Sequence, residues 1–144
     1  MRRFRAPSGL DVFVGRNNRG NEIVSHTLAR DGDVWFHVRG APGAHVLLRL
    51  PAGRDATPED MQFAADLAAY YSRRVRATQQ LMRSCAAHAP PPVRREKGAT
   101  KALVSYTSPR YVRRAPGGHL GMVTMAKEEV MTARPGNVAA TAGD

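Results

Sequence analysis

Hydrophobic and polar positions alternate most regularly between residues 33 and 39. The two alternating sets are Val34, Phe36 and Val38 on one side, and Asp33, Trp35, His37 and Arg39 on the other. Successive side chains of a strand point to opposite faces of a sheet. The segment therefore predicts a strand with one face in the core and the other face carrying polar chemistry.

The next segment, residues 44–50, separates in the same way and predicts the hairpin partner of this strand. Aligning the two apolar faces puts Val38 opposite Val46 and leaves residues 41–43 as the loop. Gly43 is then expected in the left-handed conformation that such loops need. In this register the outer face collects Trp35, His37, Arg49 and the facing pair Arg39 and His45.

A long helix is predicted after the segment Thr57-Pro58-Glu59-Asp60. A hydroxyl that can cap, a proline at the first helical position and acids near the positive end of the helix dipole are all typical of a helix start. The apolar stripe that follows consists of Met61, Ala64, Ala65, Ala68 and Tyr71, widened by Leu67 and Tyr70. This spacing predicts one helix from Pro58 to about Arg83 that packs on the sheet.

Shorter elements complete the predicted fold. Leu10–Val14 favours a first strand, residues 15–20 an exposed basic loop, and Asn21 the cap of a short helix over Glu22–Ala29. Further β segments are predicted at residues 102–107, 110–114, 121–125 and 130–132. The fold class is α+β, with a mixed, mainly antiparallel twisted sheet packed by one long helix.

Two segments are predicted to lie outside this packed structure. Residues 84–101 are rich in proline and cations and poor in apolar residues, so we expect a mobile insertion that forms a disordered basic loop. Residues 137–144 are expected to form a disordered tail. The remainder of this 144-residue chain is long enough for a single domain, which we place at residues 1–136.

Composition narrows the class of protein. The chain contains a single cysteine, Cys85, so neither an internal disulfide nor a cysteine zinc cluster is expected, and a reducing compartment is favoured. No apolar run approaches the roughly 20 residues of a membrane helix, and the N-terminal residues lack the apolar core of a signal peptide. Membrane spanning and ordinary secretion are therefore not expected.

The net charge of +10 is concentrated in one part of the chain. Residues 73–114 contain eleven cations and a single acid, Glu96. The net charge of this segment, eleven minus one, equals the net charge of +10 of the whole chain. A concentrated field of one sign attracts polyanions, and nucleic acid is the favoured partner class. The alternative is a solubilising excess of charge, since arginine supplies nineteen of the twenty-two cations.

Several of these segments together resemble one family. The segments, in chain order, are Gly15-Arg16-Asn17, Asn21, the run from Asp33 to His45, Ala69-Tyr70-Tyr71-Ser72, Val104-Ser105-Tyr106-Thr107, Tyr111-Val112-Arg113-Arg114 and Gly121-Met122-Val123. This series resembles NFACT-R, the presumed RNA-binding domain at the C-terminal end of NFACT proteins, in its bacterial or plastid form. The resemblance extends from about Arg3 to Pro135.

The resemblance implies a non-catalytic RNA-binding module without a cofactor or metal. Full-length NFACT proteins bind the obstructed large ribosomal subunit together with tRNA and direct the tailing of stalled nascent chains. The implied partners are tRNA or rRNA and the large ribosomal subunit, in the cytoplasm or the plastid stroma and away from membranes. DNA is a further possible partner, since it could bind through its phosphates. The chain would be either an excised C-terminal module or a free-standing one.

We call the alternating strand at residues 33–39 the signature strand, and the hairpin that it forms with residues 44–50 the signature hairpin. The residues expected to contact RNA are cations, rings and polar groups, several of them in or next to this hairpin. The expected phosphate contacts are Arg16, Arg39, Arg110, Arg113 and Arg114. Further candidates are Asn17, Trp35, His37, His45 and Tyr111. Trp35 is either a platform for base stacking or a core residue, and the two histidines either bind RNA or form a structural pair.

Two other classes of function remain open. One is a hydrolase with an acid–base or metal site built from His37, His45, His119 and Asp33, although nothing in their spacing makes these side chains converge. The other is a protein-interaction module whose basic surface meets a ribosomal or other acidic partner. Binding to RNA that weakens steeply with salt would separate RNA recognition from a module that binds protein only.

Overall fold

The structure, a computed structural model, describes residues 1–39, 43–84, 101–118 and 122–142. Side chains are described up to Ser72 in the helix that ends at residue 84, and up to Val138 in the helix that ends at residue 142. The strands are β1 (Arg2–Arg5), β2 (Asp11–Gly15), β3 (Val34–Val38), β4 (His45–Leu48), β5 (Ala102–Thr107), β6 (Val112–Arg114), β7 (Val123–Met125) and β8 (Glu129–Ala133). The helices are α1 (Asn18–Glu22) with a π-helical segment after it (Ile23–Leu28), α2 (Pro58–Ser84), a 3-10 turn (Pro109–Tyr111) and α3 (Pro135–Ala142).

Six strands form one antiparallel sheet in the order β1-β2-β4-β3-β5-β8, and β6 and β7 pair with each other in a separate hairpin. The predicted α+β class with a mainly antiparallel sheet is confirmed. The long helix α2 is present, but shorter helices also pack on the sheet. The prediction of a sheet packed by one helix is therefore only partly right.

The start of α2 follows from its sequence. The backbone N–H of Asp60 donates to Thr57 Oγ1 at 3.1 Å, and Asp60 Oδ2 accepts from the Thr57 N–H at 3.3 Å. This reciprocal pair satisfies two amides that have no partner inside the helix. Asp60 Oδ1 also accepts from the N–H of Ser8 at 3.0 Å, which fixes the start of α2 against the β1–β2 turn.

The main core lies between α2 and one face of the sheet. Val12, Phe36 and Val46 are fully buried there, together with Ala64 and Ala68 of α2. Small alanine side chains allow a helix to lie close to a sheet, and burying a Val or Phe side chain contributes about 1.5–3 kcal/mol. The alternating apolar set predicted for the signature strand is thus the set that faces the helix.

A second core lies on the opposite face of the sheet. Trp35 and Leu47 are fully buried there against Val24 of the π-helical segment, and Val112 of β6 is 8% exposed in the same cluster. The π-helical segment and the β6–β7 hairpin therefore cover part of the face that the pattern assigned to polar chemistry. Trp35 is a core residue, and its ring offers no surface for base stacking in this structure.

The signature hairpin is confirmed, but its register differs from the prediction by two residues. Phe36 pairs with Val46, where the prediction placed Val38 opposite Val46. A two-residue shift keeps each side chain on its predicted face, because the side-chain period of a strand is two. The backbone of residues 43–44 instead contacts other elements, since the Ala44 N–H donates to Ser72 Oγ of α2 at 3.1 Å.

Gly43 is required for close approach and not for a left-handed turn. Among the described residues, the glycines with positive φ are Gly9, Gly32, Gly53 and Gly117. A Cβ at position 43 would lie 2.1 Å from Ser72 Oγ, which is closer than any real contact. The predicted left-handed Gly43 is therefore wrong, and the glycine allows the hairpin to touch α2.

The N-terminal part of the fold departs from the prediction in two places. Arg2–Arg5 forms an edge strand that alternation did not reveal. The short helix begins earlier than predicted, because Asn17 is its cap and accepts from the Gly20 N–H at 2.7 Å. Asn21, which was expected to cap the helix, lies inside α1 and is buried.

The C-terminal residues fold as α3 where a disordered tail was expected from Asn137. Val138 is buried in the main core, and the carboxylate of Asp66 accepts from the Arg134 N–H at 2.8 Å and from Asn137 Nδ2 at 3.0 Å. A buried carboxylate on α2 therefore attaches this short helix to the domain.

Most of the predicted insertion at residues 84–101 falls on residues 85–100, which lie outside the described residues. No helix in the described part of the chain combines the length and apolarity that crossing a bilayer would need.

Candidate nucleic-acid interface

The sheet has two ends that differ in charge. At the end that we call the basic end, β2 and β3 finish and β4 and β5 begin; the other is the acidic end. The helix α2 starts at the acidic end, where Asp60 binds the Ser8 N–H, and reaches the basic end at Ser72, which binds the Ala44 N–H.

Exposed cations gather at the basic end: Arg16, Arg19, Arg39 and Lys101. Within the described residues, none of these four has a carboxylate oxygen within 4.0 Å. The helix α2 continues past Ser72 over residues 73–84, a segment that carries four more arginines in its sequence. The backbone topology therefore brings cations from distant parts of the chain to one end of the domain.

Carboxylates gather at the other end of the sheet. Those at the acidic end are Asp11, Asp31, Asp33, Asp55, Glu59, Asp60 and Glu129. The same end also carries Arg5, Arg30, Arg49 and Arg54, and two of these form ion pairs, Arg5 with Asp11 and Arg49 with Asp33. A polyanion is therefore attracted mainly to the basic end, where the exposed cations have no carboxylate partners among the described residues.

Glu22 is a carboxylate near the basic end, and it forms an ion pair with Arg114. The Arg114 side chain remains 66% exposed, but part of its charge is compensated. Arg113 is exposed, pairs across the β6–β7 hairpin with Thr124, and has no carboxylate partner among the described residues. Of the two neighbouring arginines, Arg113 is therefore the more available to a phosphate.

Arg110 and Tyr111 lie toward the acidic end. They follow β5, whose six residues run from the basic to the acidic end, and about 3.4 Å per residue makes that close to 20 Å. The Tyr111 ring lies 5.7 Å from Lys127 Nζ. The structure therefore does not group Arg110 with Arg16 and Arg39, although all three were predicted to share one site.

Arg16 and Asn17 are positioned by the helix start that they precede. The Arg16 guanidinium lies 5.9 Å from the centre of the Tyr71 ring, a cation–π contact that holds it at the end of the sheet. Asn17 is exposed, but its side-chain oxygen is used in capping α1. Arg16 is thus available to a ligand, whereas the oxygen of Asn17 has a structural role.

The buried Asn21 connects α1 to the signature hairpin. Its Nδ2 donates to the Gly43 carbonyl at 3.0 Å, and its Oδ1 accepts from the His45 N–H at 3.0 Å. A Cβ at Gly15 would lie 2.6 Å from Asn21, so a glycine is needed there as well. These contacts fix the basic loop against the start of β4 and explain the spacing between the glycine, the asparagine and the hairpin.

In the second core, Ser25 of the π-helical segment links the indole of Trp35 to the imidazole of His45. Trp35 Nε1 donates to Ser25 Oγ at 2.9 Å, and Ser25 Oγ lies 2.7 Å from His45 Nδ1. An indole can only donate, so Ser25 Oγ accepts from Trp35, and its own hydroxyl proton is free to be donated to His45 Nδ1. This arrangement fits the neutral tautomer of His45 that carries its proton on Nε2.

Burial determines the charge state of both signature histidines. Burial, reinforced by the nearby His37, lowers the pKa of His45 to about 3. Burial also lowers the pKa of His37, against the effect of a backbone hydrogen bond at Val38. The His37 ring stacks on Trp35 with centroids 5.9 Å apart and lies edge-on to His45 at 5.1 Å. Neither histidine is a phosphate-binding cation near neutral pH.

Asp33 does not join these histidines. It lies at the other end of β3, where its carboxylate accepts from Arg49 Nε, from the Arg30 N–H and from the Leu50 N–H, each at 3.0 Å. His119 of the hypothetical hydrolase site lies outside the described residues. The geometry therefore does not assemble the acid–base pair that a hydrolase would need from Asp33 and His37.

Sequence patterns did not reveal the structural roles of Asn21 and Ser25. The signal available for Ser25 was a small hydroxyl directly after the apolar pair Ile23-Val24. The signal for Asn21 was its position among the segments that resemble NFACT-R, between Gly15-Arg16-Asn17 and the run that begins at Asp33.

A small basic α+β domain with exposed cations gathered at one end of its sheet has a charge distribution that attracts polyanions. Residues 1–90 match the family model described as NFACT protein RNA binding domain. The chain belongs to this family, as its signature segments indicated.

Relatives and a solved structure agree with this family. The chain is 28% identical over 132 residues to "Rqc2 homolog RqcH" of Bacillus subtilis (strain 168), covering 92% of this chain and 19% of that protein. It is 36% identical over 72 residues to the protein of the same name from Streptococcus suis (strain 05ZYH33), covering 49% of this chain and 13% of that protein. The chain thus spans less than a fifth of the length of either relative.

The structure of the C-terminal of the fibronectin/fibrinogen-binding protein from Streptococcus suis (FBPS) is similar to this fold, with a TM-score of 0.68 and 25% sequence identity. The similarity covers 92% of this chain and 45% of that one.

Proposed function

We propose that this chain is a non-catalytic RNA-binding module that contacts tRNA, large-subunit rRNA or both in ribosome-associated quality control. The observation that carries the proposal is the gathering of exposed cations at the basic end of the sheet. Arg16, Arg39 and Arg113 are exposed and lack carboxylate partners among the described residues. They are the phosphate contacts that we favour.

Phosphate binding at this end has a simple physical basis. Each cation that neutralises a phosphate releases a condensed counterion, which favours association at low salt. Arg16 is held by Tyr71, and the backbone N–H of Arg39 donates to the Leu103 carbonyl at 2.9 Å. The ring contact limits the freedom of the Arg16 side chain, so less conformational entropy is lost when Arg16 binds RNA.

The setting is inferred from the relatives. The Bacillus subtilis and Streptococcus suis proteins are named Rqc2 homologs, which supports a role on the large ribosomal subunit and a cytoplasmic location. A module of a larger assembly needs only modest affinity of its own, since other parts of the assembly raise its effective concentration.

A non-catalytic role agrees with the state of the signature histidines. His45 is neutral, buried and hydrogen-bonded to Ser25, so its Nδ1 already has a partner inside the protein. A general base must reach its proton and have a pKa near the working pH, and His45 meets neither condition. In this proposal the pair stabilises the platform from which the arginines project.

The proposal is tested with two triple variants that remove the same charge. One variant, Arg16→Ala/Arg39→Ala/Arg113→Ala, acts on the basic end and the hairpin. The matched control, Arg5→Ala/Arg30→Ala/Arg54→Ala, acts on exposed arginines of the acidic end. Affinity for tRNA and for an rRNA fragment is measured by fluorescence anisotropy over a range of salt concentrations.

The first variant should bind at least tenfold more weakly, and the slope of log K against log salt should fall by about 2, since three phosphate contacts are lost. The control should change affinity less than threefold. An equal loss in both variants would mean that only overall charge matters. No binding of either RNA by the unmodified chain would favour a module that binds protein only.

A further inference from the structure

Part of the second sheet face presents the exposed side chains of Arg39, Leu103, Val130 and Thr132 around the buried Ser105. It is a grid of three strands and two rows, which we call the open patch: His37, Ser105 and Val130 in one row, and Arg39, Leu103 and Thr132 in the other. The inference drawn from this patch rests on the proposed RNA-binding function and concerns which part of an RNA is recognised.

The register places these side chains side by side. Ser105 pairs with His37 on one side and with Val130 on the other, and Leu103 pairs with Thr132. Neighbouring strands are about 4.8 Å apart, and alternate residues of one strand about 7 Å apart. The patch therefore measures roughly 10 by 7 Å, close to the size of one nucleobase.

The patch exposes apolar surface that the fold does not use. Leu103 is 51% exposed and Val130 is 39% exposed, and they are diagonal neighbours on the same face. The other large hydrophobic side chains exposed to this degree in the described part of the chain are Met1 and Met122. Two of four such residues thus lie together beside the basic end.

A polar group without a partner lies between them. Ser105 is fully buried, and its Oγ has no hydrogen-bond partner among the described residues. A buried hydroxyl left unsatisfied is costly, and such groups in folded proteins call for an explanation. A ring that displaced the tips of Leu103 and Val130 would supply the missing partner.

We propose that the open patch binds one unpaired nucleotide of single-stranded RNA, with its base against Leu103 and Val130 and its phosphate at Arg39. The Ser105 hydroxyl bonds to an edge of the base or to its ribose. His37, held on its other side by the Trp35 ring, forms the wall of the site.

The size and charge of the patch favour a nucleotide over a protein partner. Stable protein interfaces bury about 1,200–2,000 Å² in total, and two exposed aliphatic side chains supply a small part of that area. Recognition of single strands instead combines a flat or apolar contact for each base with a nearby cation for the backbone. Leu103 and Arg39 provide this combination within one cross-strand spacing.

The test compares a mixed-sequence single-stranded RNA of twelve nucleotides with a strand of the same length and charge that lacks bases. The variant Leu103→Ser/Val130→Ser removes the apolar contact without changing charge, and Met122→Ser is the matched control at another exposed hydrophobic residue. Circular dichroism and thermal unfolding verify that each variant is folded. Affinities are measured at several salt concentrations.

The unmodified chain should bind the base-bearing strand at least fivefold more tightly than the abasic strand. The double variant should lose this preference and keep its salt slope, whereas the control should keep both. Equal affinity for the two strands in the unmodified chain would overturn the open patch but leave the proposed function intact. Failure to bind either strand, or tRNA, would overturn both proposals.

Photo-crosslinking provides a second readout that does not depend on a variant. A single-stranded RNA containing 4-thiouridine should crosslink to the segments that form the open patch, residues 37–39, 101–107 and 129–134. Crosslinks confined to other segments would contradict the proposed position. Capture of an acidic protein with no crosslink to RNA would indicate that the patch serves a protein partner instead.

Discussion

At the scale of single residues, the signature histidines are structural because of what surrounds them. Ser25 lies between Trp35 and His45 and satisfies a buried donor and a buried acceptor with one hydroxyl. Sequence alone placed His37 and His45 correctly on the face that carries polar groups. It could not show that a neighbouring helical segment buries that part of the face.

Replacing Ser25 with alanine should destabilise the domain by about 1–3 kcal/mol. The substitution leaves Trp35 Nε1 and His45 Nδ1 buried without partners, and unsatisfied buried polar groups cost about this much. Chemical denaturation followed by tryptophan fluorescence measures the change. Thr27→Ala, an exposed hydroxyl in the same helical segment, should change stability by less than about 0.5 kcal/mol. Similar values for the two variants would refute the role assigned to Ser25.

Stability should fall as the pH is lowered from about 6.5 toward 3. The folded-state pKa of His45 is about 3, below its unfolded value of 6.5, so below pH 6.5 the unfolded state takes up a proton that the folded state does not. Each pH unit within this window costs up to about 1.4 kcal/mol. The lowered pKa of His37 acts in the same direction.

The measurement is urea denaturation at intervals between pH 7.5 and 4.5, together with NMR titration of the His45 ring. The ring signal should not titrate above pH 4.5 while the protein stays folded. A flat stability between pH 7 and 5, or a His45 ring that titrates near pH 6.5, would show that burial does not control this histidine.

At the scale of elements, local patterns predicted the strands and the long helix, and tertiary contacts decided the rest. The start of α2 was predictable because Thr57 and Asp60 are neighbours in sequence. The hairpin register was not, since it depends on a contact between Ala44 and Ser72, which are far apart in the chain. The edge strand β1 was not predicted either, because its arginines hide any alternation.

The helix α3 should depend on the carboxylate of Asp66. Asp66→Ala removes the acceptor for the Arg134 N–H and for Asn137 Nδ2, so α3 should detach more often and the domain should lose about 1–3 kcal/mol. Amide hydrogen exchange should speed up at residues 136–142 while strands β2, β3 and β4 stay protected. Glu128→Ala, at an exposed acid, is the control. Unchanged exchange at α3 would mean that apolar contacts such as Val138 are sufficient.

At the scale of the whole molecule, the sheet topology decides which of the charged side chains lie close together. The composition predicted a polyanion partner, and the family of RNA-binding domains to which the chain belongs agrees with it. The five expected phosphate contacts do not all lie in one place. Arg110 lies toward the acidic end and Arg114 pairs with Glu22, whereas Arg16 and Arg39 lie at the same end of the sheet.

Binding to single-stranded RNA should weaken by about 20-fold between 50 and 200 mM KCl. Three phosphate contacts on a single strand correspond to a slope near −2 in log K against log salt. Fluorescence anisotropy at five salt concentrations gives the slope directly. An affinity that changes less than threefold over this range would mean that phosphate contacts do not dominate, and that the basic end has another role.

The amino-acid sequence determined the α+β class, the two-faced signature strand, the start of α2 and the excess of positive charge. Each of these depends on residues that are close together in the chain, through alternation, capping or composition. Only the tertiary structure decided that Trp35 is buried, that Gly43 touches Ser72, and which arginines share one end of the sheet. These outcomes depend on contacts between distant segments, and the free energy of such contacts is set by how strands and helices pack and not by any local pattern.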